Sequence, residues 1–256
     1  MKKIAKNISK PILYIVLSCL FSFALAGGAF LDMEKESGIY IFDILVKIII
    51  LVGIFCYSVI CKKNINSQNS KYFSVWLLAA FIPFIFNFFV AFCVPNRSLK
   101  VIEIINLLLT VFTTAAWEEM FFRYVGKTFF EKNGKYTWGT VALLALTFGF
   151  SHLINIFFYN PLSVLLQVLA ASVSGVFLLA LYRHTGNIWL VITAHFFQNI
   201  IAGFFQSFES APVFENSYIL VYVLMAVQLF IGIFILVKNK YICKMNYYTE
   251  DTQPTK

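Results

Sequence analysis

Three short stretches of this chain hold residues able to do chemistry, and each lies in a markedly apolar run. They are Trp117-Glu118-Glu119-Met120-Phe121-Phe122-Arg123, then Phe148-Gly149-Phe150-Ser151-His152, then His195-Phe196-Phe197-Gln198-Asn199. Two of the three histidines in the chain are here, with an adjacent carboxylate pair and an arginine. In a hydrocarbon setting each ionisable group costs about 2.5–3.5 kcal/mol to insert, so a cluster of five needs a reason beyond packing. Two chemistries fit. Glu118 with His152 could hold and deprotonate a water, while His195 and Asn199 donate hydrogen bonds to an oxyanion formed at a carbonyl. That set suffices for peptide or ester hydrolysis without a Ser or Cys nucleophile. Alternatively Glu118, His152 and His195 match the His/His/Glu ligand set of a catalytic zinc, although the usual H-E-x-x-H helix is absent. The sequence does not decide the cofactor question.

Helical spacing separates the two glutamates. Glu119 and Arg123 are i,i+4 and share a face, so they can pair. Glu118 is turned by about 100° and has no cation at i+3 or i+4. Asn106, Thr110 and Thr114 descend in steps of four toward it and should face the bundle or a wet cavity. His195 and Asn199 are likewise i,i+4, and Thr147, Ser151 and Asn155 give a polar edge beside His152. Asp43 and Lys47, also i,i+4, most simply neutralise each other. Ala171-x-x-x-Gly175 reads as a close helix contact.

The elements that position these residues must be membrane helices. The 256 residues are 60% hydrophobic and 12% charged, with a mean hydropathy of +0.81 and thirty Phe. A soluble domain carries about 25% charged residues, so this composition cannot cover a water-facing surface. Disorder, a collagen repeat and a disulfide scaffold are excluded together. Eight apolar runs are long enough to span, at 11–31, 39–61, 73–95, 101–130, 137–158, 162–182, 187–207 and 218–237. The expected fold is an all-α polytopic bundle of about eight transmembrane helices, one integral-membrane domain over 1–256 with a motif-bearing core at about 101–207.

With the N-terminus inside, sixteen of the twenty Lys and Arg fall on the cytoplasmic side, and only Lys35, Arg97 and Lys100 fall outside. Both termini are therefore expected in the cytoplasm. Depth along the helices, at 1.5 Å per residue, puts Glu118 roughly 12–18 Å, His195 roughly 12 Å and His152 roughly 20 Å from the inner ends of their spans. The three can converge on a chamber in the cytoplasmic half. Met1-Lys2-Lys3, an apolar run and Ala24-Leu25-Ala26 have the order of a signal peptide. The run of roughly 20 residues exceeds the usual ~7–15-residue hydrophobic region, which favours an uncleaved first span. Cys19, Cys56, Cys61, Cys93 and Cys243 contain no C-x-x-C pair and read as packing residues. His184, in a short basic turn, reads as solvated or headgroup-binding. The net charge of +8 is accounted for by positive cytoplasmic loops and needs no nucleic acid.

The motifs E-E-x-x-x-R at Glu118–Arg123, F-x-x-x-H at Phe148–His152 and H-x-x-x-N at His195–Asn199 occur in an order and spacing that resembles the type 2 CAAX prenyl endopeptidase and bacteriocin-processing (CPBP) family of intramembrane proteases. Tyr182 to Trp189 resembles that family's approach to its last motif, and the resemblance covers about 110–205. It implies a multi-helix membrane protease, with Glu118, His152, His195 and Asn199 as the catalytic set and Glu119 and Arg123 as its scaffold. It implies a membrane-associated protein or peptide substrate, a surrounding lipid bilayer, and a place in a plasma membrane, which the composition suits to a bacterium. The family is called a metalloprotease family, yet a metal-free water activated by glutamate is also proposed for it. Two other readings stand beside the protease: a non-catalytic relative acting as an immunity factor or membrane scaffold, and a transporter using its Glu and His groups as a relay.

Overall fold

The computed structural model describes residues 2–33, 40–60, 101–130, 136–206 and 217–238. Every element in them is helical. α1 spans Lys2–Met33, α2 Ile41–Ile60 and α3 Val101–Glu119, the last continuing through a π-helical turn at Met120–Val125 into Gly126–Phe130. α4 is Trp138–Phe150 and tightens into a 3-10 segment at Ser151–Phe157. α5 is Pro161–Thr185, α6 Ile188–Gln206 and α7 Ser217–Lys238. Five runs are long and apolar enough to cross a membrane: Lys10–Phe30, Ile41–Ile60, Val101–Phe130, Trp138–Phe157 and Pro161–Thr185, with shorter apolar helices at Ile188–Ile200 and Met225–Lys238. The chain is thus a multi-pass helical bundle. The expected span at 73–95, the loops at 62–71, 95–100, 131–135 and 209–216, and the C-terminal tail lie outside the described residues, as do Cys61, Cys93 and Cys243.

Local chemistry sets the helix ends. Asn160 accepts a hydrogen bond from Leu162 N at 2.9 Å and Pro161 occupies the first turn of α5, where its missing N–H costs nothing. α5 ends at Gly186, whose φ of 63° is the left-handed conformation that favours glycine, and its N–H reaches Tyr182 O at 2.8 Å. Asn187 then caps α6 by accepting from Trp189 N and Leu190 N. At the opposite end of the bundle Asp32, from α1, takes the first amides of α2 on its two oxygens: Phe42 N at 3.1 Å and Asp43 N at 2.9 Å. Asn106 of α3 accepts from Tyr40 N at 3.2 Å, and Lys47 donates to Asp43 within a buried pair. Part of the polar stripe on α3 is thereby spent on the start of α2; Thr113 and Thr114 spend theirs on carbonyls of their own helix.

Helices α1, α2, α3 and α6 pack in sequence, each against the next, while α5 is gripped between α4 and α7. Small residues permit that grip. Gly175 would place a Cβ 3.2 Å from Ala145 Cα, and Gly232 one 3.0 Å from Phe177 Cα. Inside lie Phe121, Phe122, Phe148, Leu178 and Tyr182; outside, Phe23, Ile49, Val101 and Phe230 are exposed, as lipid-facing side chains are. Cys19 and Cys56 are also exposed, so their expected packing role is not found: they sit on the outward sides of α1 and α2. His184 is buried at the end of α5 rather than solvated.

The tightest approach is between α4 and α5 beside His152. A Cβ on Gly149 would lie 1.9 Å from Ser172 Oγ and 2.6 Å from Val168 O. Gly149→Ala is therefore expected to destabilise the bundle by about 1–3 kcal/mol. Ser172→Ala should not restore it, because the Val168 carbonyl is backbone and cannot turn aside. Thermal melts of the single and double variants in detergent test this, and full rescue by Ser172→Ala would contradict it.

Candidate active site

The site begins with a fault in α3. Glu119 is its last α-helical residue, and Met120–Val125 form a turn widened to i→i+5 bonding, a feature that recurs at functional sites. Arg123 lies within it and still returns to the side of Glu119: its Nε is 2.9 Å from Glu119 Oε2, and both side chains are buried. That contact is ionic, and no nitrogen of the guanidinium has a hydrogen-bond partner among the described residues. Its carbon sits 4.2 Å from the centroid of the Phe148 ring, so an aromatic face takes the remainder of its charge. α1 supports the turn from behind. Tyr14, wholly buried, stacks on Phe121 with ring centroids 5.1 Å apart and planes within 4°. Its hydroxyl is 3.5 Å from Phe122 O.

α6 brings His195 against the same glutamates. Nδ1 is 2.6 Å from Glu119 Oε1, and Nε2 faces Glu118 Oε2 at 3.5 Å. A carboxylate only accepts, so Nδ1 carries a proton and donates it to Glu119, which fixes the ring's orientation. Arg123, Glu119, His195 and Glu118 form one continuous buried row. The i,i+4 spacing gives the Glu119–Arg123 contact; the Glu119–His195 bond, between residues 76 apart in the chain, is an addition that spacing could not supply.

His152 and Asn199 stand at the edge of this row. His152 is half-buried in the 3-10 segment, with Nδ1 3.0 Å from Phe148 O, a contact in which the ring must donate. That leaves Nε2 as its accepting nitrogen. The Phe148 ring meets both imidazoles edge-on, at 5.2 Å from His152 and 5.8 Å from His195. Asn199 shares the face of His195, half-buried. Among the described residues no hydrogen bond or ion pair joins His152 or Asn199 to the two glutamates. Nor do three His, Cys, Asp or Glu side chains gather among the described residues as a metal-ligating group. Each imidazole spends Nδ1 on an oxygen and keeps Nε2, as metal-ligating histidines also do.

Chemically, the row sets a carboxylate opposite an oriented imidazole. Glu118 Oε2 is buried with no hydrogen-bond partner among the described residues. Ser151, the nearest hydroxyl to His152, donates to Phe148 O at 2.6 Å and is not disposed as a nucleophile. The two glutamates are not interchangeable. Glu119→Gln strands Arg123, and one-sided loss of a buried pair costs about 3–5 kcal/mol. Melting temperature should fall sharply. Glu119→Gln/Arg123→Gln should recover stability while leaving His195 without its anionic partner, and activity should stay low. Glu118→Gln should melt like the parent. If Glu118→Gln is the unstable variant and Glu119→Gln the stable one, these assignments are reversed.

A family described as type II CAAX prenyl endopeptidase Rce1-like matches this chain over residues 100–201, which take in α3, α4, α5 and the part of α6 that holds His195 and Asn199. No curated protein and no solved structure matches the chain. The segment that carries Glu118, Glu119, Arg123, His152, His195 and Asn199 is thus similar to the type II CAAX prenyl endopeptidase Rce1-like family, the one its motifs resemble.

Proposed function

We propose that this protein is an intramembrane endopeptidase that hydrolyses a peptide bond in a membrane-associated protein or peptide. The observation that carries this reading is the buried row Arg123–Glu119–His195–Glu118 inside a segment of a protease family. Glu118 is the general base. It takes a proton from water, the resulting hydroxide oxygen bonds to the substrate's carbonyl carbon, and the carbonyl oxygen becomes an oxyanion. His195 keeps its Nδ1–H on Glu119, and with a proton also on Nε2 in this step it and the Asn199 amide donate to that oxyanion. The proton held by Glu118 then passes to the leaving nitrogen as the C–N bond breaks. His152 offers Nε2 as a second acceptor to the attacking water. Glu119 and Arg123 hold the histidine and touch no reacting atom.

The reading extends to topology: eight spans, both termini cytoplasmic, in the plasma membrane of a bacterium. Support comes from the basic residues, sixteen of twenty on one side, and from exposed aromatics at helix ends. Trp138 and Trp189 sit at one end of the bundle and Tyr40 and Tyr159 at the other, as aromatic belts do. On this orientation Glu118 is twelve residues, about 18 Å, from the inner end of α3, within the cytoplasmic half.

Comparative membrane proteomics of cells carrying wild type or Glu118→Ala is expected to reveal an uncut precursor in the variant alone. His152→Ala and His195→Ala should accumulate the same precursor while the protein still inserts. Asn199→Ala should retain more activity than these, since one lost oxyanion donor costs about 10²–10³ in rate. Identical peptidomes would leave a non-catalytic protein. For topology, reporter fusions after Lys71 and Lys135 should read cytoplasmic and one after Lys100 external; one inverted signal would sink the orientation.

A further inference from the structure

Beside the catalytic row runs a second polar feature that the hydrolytic scheme does not use. Gln198, three residues beyond His195 and on the same side of α6, accepts from Ser174 Oγ of α5 at 3.0 Å. Its Nε2 is buried with no hydrogen-bond partner among the described residues. Whichever way the amide is set, Ser174 can satisfy only one end of it. Leaving a buried amide half-satisfied costs about 1–3 kcal/mol, which needs a compensating gain in some other state. Two turns along α5, Gln167 accepts from Asn155 of the 3-10 segment at 2.9 Å, again with amide capacity left over. Both amide pairs lie on helices read as membrane-spanning, and Gln167 is exposed there. Lipid offers neither donor nor acceptor, so side chains of this kind face something that does.

From this placement, and resting on the protease reading above, we infer that the strip from Gln198–Ser174 to Asn155–Gln167 binds the extended backbone of the substrate peptide next to the bond being cut. Geometry and chemistry agree on the ligand. Ser174 and Gln167 are seven residues apart on one face of α5, about 10 Å along the helix axis. An extended chain advances about 3.3 Å per residue, so the strip matches about three substrate residues. A peptide drawn out for cleavage has lost its internal hydrogen bonds and presents unpaired N–H and C=O groups, for which neutral amides are matched partners. A carboxylate or a lysine would serve an ionic ligand; here the strip carries no charge. Ser174 and Gln198 lie at one depth, eleven residues from the end of α5 and ten from the start of α6, about one turn beyond His195.

The probe is the precursor that accumulates in Glu118→Ala cells, purified and presented to reconstituted enzyme. Gln198→Leu keeps the side-chain bulk and removes both amide atoms. It is expected to raise KM about tenfold with kcat within about twofold, the signature of lost substrate binding as opposed to lost chemistry. Its melting temperature should match wild type. Independently, a photo-cross-linking residue at Gln167 in the Glu118→Gln background should capture that precursor. An unchanged KM in Gln198→Leu, a fall in kcat alone, or adducts to lipid only would overturn the strip and leave the protease standing. If Glu118→Ala cells hold no precursor, the protease reading itself fails and the strip falls with it.

Discussion

Glu119 is held from two directions at once, by the charge of Arg123 on its own helix and by a hydrogen bond from His195 on α6, and all three side chains are buried. A carboxylate taken out of water needs such partners, because desolvation costs more than a single imperfect pair returns. The demand reaches outward through the bundle. α6 must lie against α3 at the level of Glu119, Phe148 must offer its face to the unanswered half of the guanidinium, and α4 must approach α5 closely enough to hold Phe148 there. Glu118, one residue away, is left outside this arrangement, facing His195 Nε2 with accepting capacity in hand.

Two buried polar groupings sit at different levels of the molecule, and the contrast between them is instructive. Near the start of α2, Asp32 and Asn106 accept from amides that begin the helix, and Asp43 and Lys47 pair with each other. That grouping closes the α1–α2 connection onto α3, which is a structural task. The site holds instead the unmet groups: one oxygen of Glu118, the amide of Gln198 and the far nitrogens of Arg123. Buried polarity alone does not mark chemistry in a membrane helix; unspent bonding capacity beside an oriented imidazole does.

Spacing within one helix was readable from the sequence, and spacing between helices was not. Seven of the eight expected apolar runs coincide with helices, and the Glu119–Arg123 and Asp43–Lys47 contacts follow from i,i+4 periodicity. The bond from Glu119 to His195 depends on how α6 slides against α3, which no local pattern encodes. The π turn is equally silent: nothing in the order of residues from Met120 to Val125 sets it apart from an ordinary helical turn. The sequence grouped His152 with Glu118 but could not show that Nδ1 of that ring meets the Phe148 carbonyl of its own helix, leaving Nε2 for other partners. The outward faces of Cys19 and Cys56 were hidden for a related reason, since a uniformly apolar helix does not say which side meets lipid.

The place of Tyr14 bears on how portable this site is. The family segment begins at residue 100, yet the ring stacked on Phe121, and the hydroxyl nearest the carbonyl of Phe122, belong to the first helix of the chain. Phe21, two turns further along α1, closes edge-on against both Phe121 and Trp117. The matched segment is therefore not a module that could be cut out and moved: its back wall is built by residues the family pattern does not contain. Two proteins sharing every motif residue can differ in what stands behind the π turn, and so in how firmly the same glutamates are held. Variation among relatives would then be written in the first helix, where no motif would lead one to look.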